Sequence, residues 1–288
     1  MCEMNRWLLI DDGPASGAEN MARDEHLLAR AGAAPGAPVL RLYSFRPPAI
    51  TIGYHQRPER AIDFAAARAD GVDVVRRVTG GRALLHDGEL TYCVVSPLSA
   101  PRAPISTELY LRISEALAGA LRSIGVRAEV SRGAPGRAMG AAAPCLLSTT
   151  RWELTARGRK IAGSAQRSMR GAVLQHGSIL LTDASARIER YARSPRGRLA
   201  GKVTSVSEEL GRAVEPGALA DAIKRSFAAS FGIEWEPFAF SAEEEREVEA
   251  LAREKERELS ALPTRSEPRD AAPAPRGALR AAGREVVT

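Results

Sequence analysis

The chain has 288 residues, 44% hydrophobic and 26% charged, with a net charge of +6. That profile is the one expected of a soluble globular protein with room for one large domain or two small ones. No apolar run reaches bilayer length and the first residues, MCEMNRWLLIDDG, hold no apolar stretch of signal-peptide length, so a cytoplasmic protein with no membrane segment is expected. Three cysteines and four histidines, at no zinc-like spacing, exclude a disulfide framework and give no reason to expect a metal. The basic residues are scattered rather than gathered in a stripe with aromatics, so an acidic protein partner suits the charge better than nucleic acid.

Arg6–Asp11 reads as a short strand and Asp12-Gly13-Pro14 as a turn. Ser16 stands three before Glu19, a capping box that opens a helix to about Ala31. After a loop over Pro35–Pro38, the runs Val39–Phe45 and Ala49–Tyr54 have strand character. Pro58 opens a helix that Gly71 closes. Val72–Arg77 enters as a strand, Thr79-Gly80-Gly81 turns, and Leu90–Ser96 leaves as a strand. Pro97–Pro104 is a linker. Ile113, Leu117, Leu121 and Ile124 put one apolar face on a helix over Ser106–Ile124, stopped by Gly125. Arg127–Val130 is a short strand.

Ser131–Pro144 is small, Gly- and Pro-containing and aperiodic, a loop long enough to be functional or disordered. Cys145 ends it. Trp152–Thr155, Lys160–Gln166 and Val173–Leu181 read as successive strands, turning at Gly158 and at Met169–Gly171. Asp183 is expected to cap a helix reaching about Ala192. Ser205–Leu210 is a short helix, and Pro216–Phe231 a clear one with Gly232 as its stop. Ser241 and Glu244 form a second capping box, for a charged helix to about Leu259. Beyond Pro263 the chain is rich in Ala, Pro and Arg, so 263–288 is expected to be a disordered tail behind a single domain over 1–262. Strands and helices interleave without βαβ regularity. The expected class is α/β (α+β), with a mixed, largely antiparallel sheet flanked by helices.

Several residues on this path carry chemistry. Two adjacent glycines, Gly80 and Gly81 after Thr79, let backbone N–H groups face an oxygen-bearing ligand; the same residues also suit a plain hairpin turn. No Gly-Lys-Ser/Thr follows them, so this is no Walker loop. Of Arg76 and Arg77, strand alternation turns only one inward, where it would fix a carboxylate or phosphate. His86 titrates near neutrality, yet a lone histidine is more often a hydrogen-bonded structural residue. Lys160 is either a solvated edge charge or a functional cation beside the small polar run Gly163-Ser164-Ala165-Gln166, and Gln175-His176-Gly177 repeats that character on the next strand. Cys145 is either a small buried hydrophobe or an accessible thiol needing a nearby cation such as Lys160 to raise its thiolate fraction. Cys93, inside an apolar strand, reads as packing, and Cys2 is terminal.

Taken in order, RRVTGGRALLHDGELTY (Arg76 to Tyr92), GRKIAGSAQRS (Gly158 to Ser168) and LQHGSILL (Leu174 to Leu181) resemble the biotin/lipoate protein ligase superfamily. The likeness is to its lipoate ligase A-like, cysteine-dependent octanoyltransferase branch, and it covers roughly residues 6 to 258. It implies a catalytic-domain fold shared with biotin ligases and related to class II aminoacyl-tRNA synthetases, with a helical C-terminal part over 205–259. It also implies an acyl tunnel walled by Arg76, Arg77, Thr79, Gly80, Gly81, His86, Gly163, Ser164, Ala165 and His176. Cys145, seven residues before Trp152-Glu153-Leu154, matches the branch's nucleophile, although Leu146 stands where an aromatic often follows. Lys160 matches the lysine that assists it. The activity implied is transfer of octanoyl from acyl carrier protein, through a cysteine thioester, to a lysine of lipoyl domains, with no cofactor. The family's other activities are ATP-dependent lipoate ligation and amidotransfer of octanoyl from the glycine-cleavage H protein.

Overall fold

The computed structural model describes residues 5–34, 36–98, 107–132, 152–193 and 201–260. Cys145 and the tail 263–288 lie outside them. The elements run β1 (Asn5–Ala15), α1 (Gly17–Ala33), β2 (Val39–Phe45), β3 (Ala49–Ile52), α2 (Pro58–Ala61), α3 (Phe64–Ala69), β4 (Asp73–Arg76), β5 (Leu84–His86), β6 (Glu89–Pro97) and α4 (Thr107–Ser123). They continue with β7 (Ala128–Val130), β8 (Leu154–Ala156), β9 (Arg159–Lys160), β10 (Ala162–Met169), β11 (Ala172–Leu180), α5 (Ser185–Tyr191), α6 (Val206–Leu210), α7 (Pro216–Phe231), β12 (Ile233–Pro237) and α8 (Ala242–Ser260).

Six strands make the main sheet, in the order β10-β11-β6-β2-β1-β12. The first three pairings are antiparallel and the last two parallel. This is the mixed, largely antiparallel sheet expected of the sequence. Period-two alternation sends residues of each strand to opposite faces. Leu40, Leu42, Tyr92 and Val94 join α4 and α7 residues such as Leu117, Leu121, Ile223 and Phe227 in one core. Val39, Tyr43, Cys93, Val95 and Leu174 join Met21, Leu27 and Leu28 of α1 in another. Helices therefore cover both faces, as they must when both carry apolar side chains. A small sheet, β4-β3-β5, has its own core, with Ile50, Ile52, Phe64, Tyr191 and Leu259.

Caps follow the local chemistry. Ser16 accepts from the Glu19 amide at 3.1 Å, Ser205 from that of Glu208 at 3.3 Å, and Ser241 and Glu244 form the full reciprocal box at 2.8 and 3.2 Å. Differences from the expectations have physical causes. Asp12-Gly13-Pro14 is part of β1, because a bulge between Asp11 and Gly13 absorbs the irregularity. The helix expected after Pro58 is two, because Asp63 caps a new start by accepting from the Ala66 amide. The cap position of α5 is Ala184, one residue past Asp183. Lys160–Gln166 is not one strand, since β9 pairs with β8 in a third sheet while β10 pairs with β11.

Candidate active site

A narrow, partly open cleft lies where β10 and β11 meet α1 and the small sheet. Wider hollows flank α8. The smaller cleft is the candidate site because it gathers residues far apart in sequence: Arg77, His86, Gly163, Ser164, Ala165 and His176 all line it. Close backbone approach shapes its floor. A Cβ on Gly177 would sit 2.5 Å from the Gly163 carbonyl oxygen and 2.7 Å from Ser164 Oγ, so only glycine lets β10 and β11 pair here.

Arg77 is the inward member of the arginine pair. Its guanidinium donates to the Gly80 carbonyl at 2.8 Å, to that of Arg82 at 2.8 Å, and to both the carbonyl and Oγ1 of Thr51 at 3.0 Å. It thus holds the Thr79-Gly80-Gly81 loop in shape. The loop also presses on Gly53, where a Cβ would lie 2.0 Å from the Gly81 carbonyl oxygen. Arg76 turns the other way, donating to the carbonyls of Gly53, Tyr54 and Gln56 and to Glu258 of α8. It lines a hollow beside α8, not the cleft.

The two imidazoles of the cleft share one arrangement. His86 places Nδ1 against the Glu89 carboxylate and Nε2 2.8 Å from Thr51 Oγ1, and its ring stacks on Phe45. His176 places Nδ1 2.8 Å from Asp24 Oδ2 and Nε2 2.6 Å from Thr79 Oγ1. An ionised carboxylate only accepts, so each Nδ1 carries the proton that its carboxylate receives. Asp24 is fully buried and is also met by Tyr43, whose hydroxyl donates at 2.8 Å, and by Arg41, which donates at 2.8 Å. Burial pushes the Asp24 carboxyl up, but the bonds from His176 and the Arg41 charge outweigh it and hold the carboxyl below its ordinary range. Burial lowers His176, which keeps the ring neutral. Burial likewise pushes the Tyr92 phenol up to about 12, and its hydroxyl meets Ser164 Oγ at 2.6 Å.

Lys160 is not a solvated edge charge. It is 1% exposed, and its Nζ donates to Glu153 Oε1 at 2.7 Å. Pairing is what makes a buried ammonium tolerable. It does not line the cleft; it precedes it, two residues before β10 begins. Glu153 stands two residues past the segment 133–151, which contains Cys145. Cys93 is fully buried, and burial pushes its thiol well above the ordinary range, so it is inert. Sequence reasoning missed Asp24, Arg41, Tyr43 and Thr51. One signal for Asp24 was present: Asn20 and Asp24, four apart, sit on the α1 face that also carries Met21, Leu27 and Leu28.

The family described as lipoyl protein ligase A/B catalytic domain matches residues 16–228. This chain belongs to that family. Among curated relatives, the Octanoyltransferase LipM of Moorella thermoacetica is 39% identical over 241 residues, 80% of this chain and 88% of the relative. That of Bacillus subtilis is 34% identical, over 83% and 91%. Among solved structures, a lipoate-protein ligase A bound with ATP superimposes with a TM-score of 0.72 at 24% identity, over 88% of this chain and 96% of the other. A lipoate protein ligase from T. acidophilum with bound lipoic acid gives 0.67 at 25%, over 87% and 94%. The family's catalytic fold is therefore the fold described above.

Proposed function

We propose that this chain is an octanoyltransferase of protein lipoylation, acting through a covalent cysteine thioester. The observation that carries the reading is identity of 34–39% to octanoyltransferases across four-fifths or more of the chain. The cleft, which gathers three separate sequence motifs on one small cavity, supports it.

In this reading Cys145 Sγ, as thiolate, attacks the carbonyl carbon of an octanoyl thioester. The tetrahedral oxyanion collapses and expels the carrier thiolate, which takes up a proton. The octanoyl chain lies along the cleft between the Gly163–Ala165 and His86–His176 walls. A lysine amine of a lipoyl domain then attacks the acyl-cysteine, forms the amide, loses a proton and returns the Cys145 thiolate. A thioester is already activated, so no nucleotide is needed. Lys160, held by Glu153, supplies positive charge for the thiolate and for the oxyanion. The donor is octanoyl-acyl carrier protein, and the acceptors are lipoyl domains, including the glycine-cleavage H protein. A net charge of +6 favours encounter with such acidic carriers. The cytoplasm, which keeps thiols reduced, is the compartment this chemistry needs.

The test is mass spectrometry of the full chain after incubation with octanoyl-acyl carrier protein and no ATP. An octanoyl adduct on Cys145 that disappears on adding a lipoyl domain is expected. Transfer that survives Cys145→Ala, or that requires ATP and free acid, overturns the proposal. Octanoyl-H protein as the better donor would reassign the chain to amidotransfer.

A further inference from the structure

The cleft poses a chemical puzzle. A saturated eight-carbon chain wants an apolar wall, yet this wall carries Thr51, Arg77, His86, Thr91, His176 and Ser178. A polar group facing a hydrocarbon is costly unless it is already bonded elsewhere. Each of these side chains is. Arg77 and His86 are taken up by the loop and by Glu89. Thr91 Oγ1 donates to Glu89 Oε1 at 3.0 Å, and Ser178 Oγ lies 3.0 Å from Thr91 Oγ1. His176 is held at both ends, by Asp24 and by Thr79.

The His176 chain is the one whose directions the structure determines. Asp24 already accepts from Arg41 and Tyr43 and offers its Oδ2 to Nδ1–H. The ring is neutral, so Nε2 is an acceptor, and Thr79 Oγ1–H is the donor that fills it. Were Asp24 unable to accept, the ring would be free to take its other tautomer and aim an N–H at Thr79. Were Thr79 unable to donate, Nε2 would be an unfilled acceptor on a ring that lines the cleft.

We propose that Asp24 and Thr79 are specificity-determining positioning residues: acting through His176, they leave its ring, which lines the cleft, without a free hydrogen-bonding atom and so select an unsubstituted alkyl chain over one bearing a hydroxyl. The inference rests on the reading of the cleft as the acyl site. Its physical basis is the asymmetry of polar recognition. An apolar pocket rejects an added hydroxyl only to about a hundredfold, whereas an unfilled buried acceptor is relieved by a ligand donor.

The experiment compares wild type, Asp24→Asn and Thr79→Val with octanoyl thioesters of acyl carrier protein carrying either no hydroxyl or one, at successive carbons. The readout is the ratio of kcat/KM values, plain over hydroxylated. Misfolding lowers both values together and leaves the ratio alone. Wild type is expected to prefer the plain chain by about tenfold or more. Thr79→Val is expected to lower that preference about tenfold at the one carbon nearest His176, and Asp24→Asn to shift it at the same carbon. A wild-type preference under threefold overturns the inference without touching the proposed function, and so does a ratio unchanged in Thr79→Val. No transfer of plain octanoyl by wild type overturns both. Should Thr79→Val fail to fold, Thr79→Ala removes the same donor hydroxyl and carries the same expectation.

Discussion

The two faces of the main sheet are built from the same strands and do opposite things. On β2, Leu40 and Leu42 face α4 and α7 and join the hydrophobic core there, while Arg41 and Tyr43, one residue out of phase, face α1. Arg41 is fully buried and donates to Asp12, Asn20 and Asp24. The first face is an ordinary core. The second is a polar lattice that reaches the cleft at His176, whose other nitrogen meets Thr79. The difference teaches that a strand's alternation can set an apolar core on one face and a polar lattice that leads to the site on the other. A change on one face should therefore be readable without the other.

The largest effect should come from breaking the lattice. Arg41→Ala leaves the buried Asp24 without its cation and Asp12 with Arg23 alone, 3.8 Å away, and a loss of about 3–5 kcal/mol is expected in urea unfolding, as for other broken buried pairs. What folded enzyme remains should also show altered acyl selectivity. On the other face, Leu117→Ala removes a fully buried side chain of α4. It should cost about 2–5 kcal/mol and leave the plain-to-hydroxylated ratio at the wild-type value. A changed ratio in Leu117→Ala would end the division of labour between the faces.

A smaller effect is expected from pH. His176 sits below its ordinary 6.5 because burial disfavours the charged ring. The unfolded chain binds that proton first, so stability is full above about 6.5 and falls as pH drops through and below it, by at most about 1.4 kcal/mol per unit from this group. Asp24, also lowered from 3.8, adds a further loss when pH drops below its ordinary value. At the alkaline end Tyr43, raised above 10.0, keeps a proton that the unfolded chain releases, so stability declines there too. Thermal unfolding of wild type and His176→Gln across this range checks the acid limb, which should flatten near pH 6 in the variant. The smallest effect is Ser16→Ala, which removes the α1 cap and should cost about 1 kcal/mol with selectivity unchanged.

Helix ends were legible because their causes are local. Pro216 and Gly232 bound α7 as read, and Ser241 with Glu244 started α8. The pairing of distant strands was less so. β5 is three residues long, and β12 is five residues with mostly exposed side chains, so neither carries a periodic signal; both exist because a neighbouring strand needs a partner. The motif residues of the site were visible as polar and glycine-rich runs. Their division between cleft and exterior was not, as Arg76 and Arg77 demonstrate: one residue of register sends the first toward α8 and the second to the cleft. Lys160 misled the local reading because its partner, Glu153, sits across the β8–β9 hairpin, and Arg41 was read simply as part of a strand. Buried charges are invisible until the groups that pay for them are placed in space.

The seat of β1 has a consequence for synthesis. Its one side pairs with β2, but its other pairs with β12, with Asn5 opposite Ile233. A ribosome adding about 5–20 residues per second delivers β2 within seconds of β1, and β12 only some 10–50 s later. During that interval the nascent sheet presents an open parallel edge, which is a template for any other extended chain. The newborn protein is thus most exposed to mispairing just before α7 and β12 emerge, and truncation anywhere ahead of Ile233 would make that passing state permanent.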